Sequence, residues 1–234
     1  MVVDWGSLRA ASGRASALPA AISRLDAQPG SADGEQAFQH LVGEVAPDGG
    51  LYEAAPPVAA AIVGALPGWS AAGQVRGLRV LWHICAAGAP ADFIVSYRGE
   101  TVPLETASHR AVQDAHVLFA ALLTAAQPAV RHASMSLLSV FSVRATQAEA
   151  ALSQAAEQTA DPLERDELRA AIRDLHEWHE GEAQLGQVDP ALVDLAARRK
   201  LTWWDEPERT RLRKPGVVRR VRARIIARLV RHLR

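Results

Sequence analysis

QVRGLRVLWHI, residues 74–84, and AVRHASMSLLSVF, residues 129–141, open alike. Each sets a valine-arginine pair, Val75-Arg76 or Val130-Arg131, at the head of a run with apolar residues at helical spacing. Each also follows an apolar run, AAAIVGAL or HVLFAALL, across a short polar or proline-containing turn. A weaker third copy, DPLERDELRAAI at 161–172, has Asp161-Pro162 at the turn and Arg165 near the arginine position. A helical hairpin has one apolar face, which it buries by stacking on its neighbours, so a recurring hairpin predicts a stack rather than a closed bundle. Val75 and Val130 stand 55 residues apart, which exceeds a repeat of about 40–47. The irregular stretch GAPADFIVSYRGETVP at 88–103 accounts for the excess.

The same spacing extends outward in both directions. Leu18, Ile22 and Leu25 mark one helix, and Phe38, Leu41, Val42 and Val45 mark the next. Further helices are expected over 52–66, 75–85, 109–125, 130–143, 148–157, 163–181 and 192–204, separated by Gly- and Pro-containing turns. Nearly half of the 234 residues are hydrophobic but only 5% are aromatic, so Ala, Leu and Val must fill the core. No strand alternation stands out, and the fold class expected is all-α. The single cysteine, Cys85, excludes an internal disulfide framework. MVVDWGSLRA lacks the basic and apolar segments of a secretory leader, and no apolar run approaches the ~20 residues of a spanning helix. A cytoplasmic protein is therefore expected.

VDWGSLRAASG at 3–13, LPAAISRLD at 18–26, FQHLVGEV at 38–45 and GGLYEAAPPVAAAIVGAL at 49–66 follow one another in an order that resembles HEAT-repeat proteins common in actinobacteria. VLFAALLTAAQPAVRHASMSLLSVF at 117–141 resembles their central repeat. The resemblance covers roughly residues 3–172 and departs at Ala46–Asp48, where those proteins carry a polar turn of the His-Gln-Gly type. It implies a HEAT-like α-solenoid of stacked antiparallel helical hairpins, over residues 1–205, and a binding surface rather than a settled activity. It places the chain among scaffolds, adaptors and immunity-type proteins. HEAT-like DNA glycosylases share the architecture, but they use a basic concave face, and this body is acidic.

Residues able to do chemistry are few. LHEWHEGE at 175–182 puts His176, His179 and Glu180 on one helical face, the weak candidates for a zinc or iron site. The spacing is not H-E-x-x-H, and a polar solvated helix face with Trp178 turned elsewhere is the favoured account of it. His109 and His116 stand seven apart, on one face of the expected 109–125 helix, with Asp114 nearby; His83 neighbours Cys85 in VLWHICAAG. Lone histidines in apolar helices are ordinarily core or boundary residues. No G-x-S-x-G elbow and no phosphate-binding glycine loop occurs. No catalytic residue and no cofactor is assigned.

Ten of the 26 Lys and Arg fall between Arg211 and Arg234, with no Asp or Glu among them, so residues 1–210 carry the other 16 against all 26 acids. VVRRVRARIIARLVRHLR at 217–234, within a second segment 206–234, has Val218, Val221, Ile225, Ile226, Leu229, Val230 and Leu233 along one side and arginines along the other. It reads as a C-terminal basic amphipathic helix. It suits the last helix of the stack, an anionic membrane surface, an acidic protein or, least naturally, nucleic acid. Trp203 and Trp204, adjacent in LTWWDEPERTR, cap the last repeat or contact a partner. The partner-binding candidates are Trp203, Trp204, Arg219, Arg220, Arg224, Arg228 and Arg231. A protein partner held in the helical groove is the leading expectation.

Overall fold

A computed structural model describes residues 3–28, 31–90 and 92–186, with residues 178–186 as backbone only. The chain divides into two units, and the packed helices belong to the first, Met1–Leu175. The described residues are mostly helical. Among the described residues the helices are α1 Leu18–Arg24, α2 Ala32–Val45, α3 Ala55–Ala65, α4 Ala71–Ala86, α5 Leu104–Gln113, α6 His116–Leu122, α7 Pro128–Leu138, α8 Ala145–Gln158 and α9 Pro162–Gly186. Two short antiparallel hairpins join them, β1 Arg9–Ala10 with β2 Gly13–Arg14, and β3 Ile94–Tyr97 with β4 Glu100–Pro103. No helix among the described residues is long and apolar enough to cross a membrane.

The second hairpin replaces the irregular stretch expected at 88–103. Arg98 and Gly99 form its two-residue turn at φ 51° and 84°, and positive φ at both positions matches the right-handed twist of the strands. The helix expected over 109–125 is also divided. α5 stops at Gln113 and α6 starts at His116, with Ala115 at φ −90°, ψ 19° between them. His109 and His116 thus lie on two helices, and the face they were expected to share is broken.

Sequence explains the helix starts. Ser31 accepts a hydrogen bond from Asp33 N at 3.1 Å and caps α2; Ser70 accepts from Gly73 N at 3.2 Å and caps α4. Asp26, just past α1, accepts from both the backbone N and the Oγ of Ser70, at 2.8 and 2.6 Å. A Cβ at Gly73 would sit 2.3 Å from Asp26 Oδ1, so only glycine fits where α1 meets α4. α7 and α9 start instead at Pro128 and Pro162, whose missing N–H costs nothing in a first turn.

α4 packs on α2, α3, α5 and α7, and α2, α4 and α7 follow one another side by side. α1, α3 and α5 form a second such sequence of neighbours. One continuous core runs from Leu18 and Phe38 through Ile62, Leu81 and Ile84 to Phe119, Phe141, Leu152 and Leu175. The matching motifs at 74 and 129 therefore occupy helices that touch. The extra length between them is the β3–β4 hairpin together with the divided pair α5 and α6.

Three arginines from the motifs do one job. Arg131 Nη1 donates to Ala125 O at 2.9 Å, and Arg165 Nη2 donates to Thr159 O at 2.7 Å. Each stands three residues after a helix-opening proline and reaches six residues back, to a carbonyl just past α6 or α8. Arg76 serves α1 in the same way, donating to Leu25 O and Ala27 O, both at 2.9 Å. The last carbonyls of a helix lack intrahelical donors and carry partial negative charge, so a guanidinium satisfies them twice over. Glu164 links α9 to α7 by accepting from Arg131 Nε and, at 2.8 Å, from Thr159 Oγ1. These bonds, the Arg131 one foremost, hold its carboxyl below the usual carboxylate range.

Candidate interaction face

α4 is enclosed by four neighbouring helices, and Arg79 is its one exposed residue. Val75, Trp82 and His83, four back and three or four on from Arg79, are half-buried and continue the same line. The strip borders α2, through Phe38 and Glu35. The Arg79 guanidinium lies over the Phe38 ring, with Cζ 3.9 Å from the centroid, and Nη1 is 3.3 Å from Glu35 Oε2. Glu35 is itself steadied by Gln39, whose Nε2 donates to Oε1 at 3.1 Å. The His83 ring sits 5.8 Å from Phe38 and 5.2 Å from Trp82, edge-on to the indole at 88°.

Two neighbouring glycines allow α4 to sit this deep. A Cβ at Gly77 would come within 2.7 Å of the Trp69 ring and 2.8 Å of Leu66, and one at Gly34 would meet the Arg76 guanidinium at 2.4 Å. With its backbone close to its neighbours, α4 exposes Arg79 alone, on the half-buried Val75–His83 line. The exposed Arg79–Glu35 ion pair contributes little stability. Its effect is positional, because it fixes one planar guanidinium beside an aromatic surface with further N–H groups free for another acceptor. Fixed Arg beside half-buried Trp is the composition that anchors protein interfaces.

Burial, and then the charge of Arg79, lower the His83 pKa from 6.5 to about 4. The ring is therefore neutral at physiological pH. Between those values the unfolded chain takes up a proton that the folded chain refuses, so stability falls as pH drops from about 6.5 to about 4. A side-chain NMR titration should find the His83 midpoint near 4, and His83→Asn should flatten the stability loss across that window. A midpoint at the ordinary 6.5 would mean that the ring is hydrated.

The residues singled out in the sequence fall elsewhere. His176 lies exposed on α9, and among the described residues no group of three or more His, Cys, Asp and Glu is arranged to hold a metal. The side chains of His179 and Glu180 lie outside the described residues, as do Trp203, Trp204, Arg219, Arg220, Arg224, Arg228 and Arg231. His109 is buried on α5 with Nδ1 3.3 Å from Ser142 Oγ, and Cys85 is buried in α4. Asp114 binds two arginines, Arg98 and Arg144. Sequence reading missed Arg79, Trp82 and Phe38 as a group. Their spacing is that of an ordinary amphipathic helix, and only the neighbours packed around α4 decide which line stays open. No protein-family model matches the chain, and no curated protein does either.

Proposed function

We propose that the chain is a non-enzymatic, cytoplasmic scaffold of the HEAT-like α-solenoid type, which binds a protein partner along the α2–α4–α7 face. Support for the solenoid comes from the two sequences of neighbouring helices and from the arginines that tie one helix end after another. The binding reading rests on the α4 strip, where Arg79 is held over Phe38 and Trp82 stands half-open beside a neutral His83. A photo-crosslinking residue at Trp82 should capture one protein from cells of the source organism in near-stoichiometric yield. The same residue at exposed Ala60 on α3 should capture none. Equal capture at both positions, or none at either, rejects this face.

A second reading comes from the composition of residues 211–234, ten basic and none acidic with an apolar side. We propose an anionic membrane surface as the alternative partner of that segment, ahead of nucleic acid, because lipid covers the apolar side as well as the charge. Co-sedimentation with anionic liposomes, and a DNA shift assay, would each be compared with and without the segment. Indifference to its removal would eliminate both ligands.

A further inference from the structure

We propose that the junction of the β3–β4 turn with α5 and the start of α8 is a binding site for a phosphate group. The site shares no residue with the α4 strip. Three arginines from three elements meet there: Arg98 in the turn, Arg110 on α5 and Arg144 at the N-cap of α8. Asp114 bonds two of them, accepting from Arg98 Nη1 at 2.9 Å through Oδ2 and from Arg144 Nη2 at 3.2 Å through Oδ1. Arg110 Nη1 donates to Glu100 Oε2 at 2.9 Å. Three guanidiniums against two carboxylates leave one net positive charge in an otherwise acidic body, and the start of the fourteen-residue α8 adds the positive end of its dipole.

Two donors in this cluster are enclosed and lack an acceptor among the described residues, the Tyr97 hydroxyl and Arg144 Nε. Tyr97 lies under the Arg98 guanidinium, with Cζ 5.1 Å from the ring centroid. An enclosed donor without an acceptor carries the full cost of its lost hydration. Both Asp114 oxygens already bond arginines, and the Gln113 carbonyl takes the amides of Ser142, Val143 and Arg144. The arginine side chains remain 40–63% exposed, so a ligand can reach them. A carboxylate presents two oxygens in one plane and satisfies one guanidinium fork. A tetrahedral phosphate presents oxygens in several directions, as donors from three elements require. Asp114 orients Arg98 and Arg144 in advance, while its charge and that of Glu100 keep the affinity modest.

The test is a titration of the full chain with inorganic phosphate at fixed ionic strength, followed by amide NMR. The site predicts saturable shifts at Arg98–Glu100 and Arg144–Gln147. Arg98→Gln and Arg144→Gln should each weaken binding about tenfold, the effect of losing one charge-assisted hydrogen bond, and Tyr97→Phe should weaken it less. Arg169→Gln on α9, paired with Asp166 and 60% exposed, removes the same charge elsewhere and should change nothing. Arg98 is the most exposed of the three, so its variant keeps the fold and stays informative if Arg144→Gln does not. Shifts that grow linearly with phosphate, or equal weakening by Arg169→Gln, overturn the site. A phosphoserine peptide that binds more tightly than inorganic phosphate makes a phosphorylated partner the source of the group; equal affinity makes it the free anion.

Discussion

Arg76→Ala should destabilise the protein by about 3 kcal/mol, read as a lowered urea midpoint at unchanged m-value. Arg76 is 8% exposed, and carbonyl oxygens hold its guanidinium rather than a carboxylate. Removing it strands Leu25 O, which is buried, and Ala27 O, which is partly so, at roughly 1–3 kcal/mol for each acceptor left dry. A void beneath Gly34 adds to the loss, because that glycine's Cα rests against the guanidinium. Buried charges can also cost more than they return, and an apolar replacement of similar length is then neutral or stabilising. Arg76→Met decides between these effects. If the carbonyls dominate, Met restores the packing but not the donors and still costs about 2 kcal/mol. If desolvation of the charge dominates, Met is as stable as the native chain. Gly34→Ala probes the same contact from the other side, since its methyl must displace the guanidinium.

Arg76 shows how far the sequence could be read. The Val-Arg pairs mark Arg76 and Arg131, the weaker third copy marks Arg165, and all three arginines close helix ends. Arg131 and Arg165 do so on the helix just before, as a repeated hairpin implies. Arg76 reaches past α3 to α1, a pairing 49–51 residues long that no local pattern reveals. Most helix positions among the described residues are legible from apolar spacing, because each helix buries one stripe and exposes another; the helix expected over 192–204 lies outside those residues. The β3–β4 hairpin is not legible, since four alternating residues, IVSY, make a weak signal and the turn opens on arginine instead of Asn or Asp. Its one cue is Arg98-Gly99 between IVSY and ETVP. The break between α5 and α6 has no Gly or Pro to mark it, and the apolar period carries straight across Asp114 and Ala115. The open α4 strip depends on which helices surround it, and that is information of the tertiary structure.

Gln113→Ala should cost about as much, ~3 kcal/mol, and loosen α8 in particular. α8 has no capping side chain of its own, because Arg144 stands at its N-cap. Gln113, fully buried at the end of α5, instead holds the turn that leads into α8. Its Oε1 accepts from Ser142 N at 3.1 Å, Val143 N at 2.7 Å and Arg144 N at 3.1 Å. Three amides lose their acceptor together in the alanine variant, and part-buried N–H groups recover it only as far as water can enter. Two further variants separate hydrogen bonding from volume. Gln113→Leu keeps the bulk and deletes the acceptor; Gln113→Glu keeps the acceptor and adds the charge that a helix N-terminus favours. If acceptance is the function, Leu costs nearly as much as Ala while Glu is mild at neutral pH. The carboxylate, bonded by three amides, would then hold a lowered pKa, so its stability is lost as pH falls through that value. If packing is the function, Leu is mild and Ala alone is severe. Hydrogen exchange at Ser142, Val143 and Arg144 separates the two cases locally. In the acceptor case these amides exchange fast in the Leu variant and slowly in Glu, because the turn into α8 is held by one oxygen rather than by the space around it.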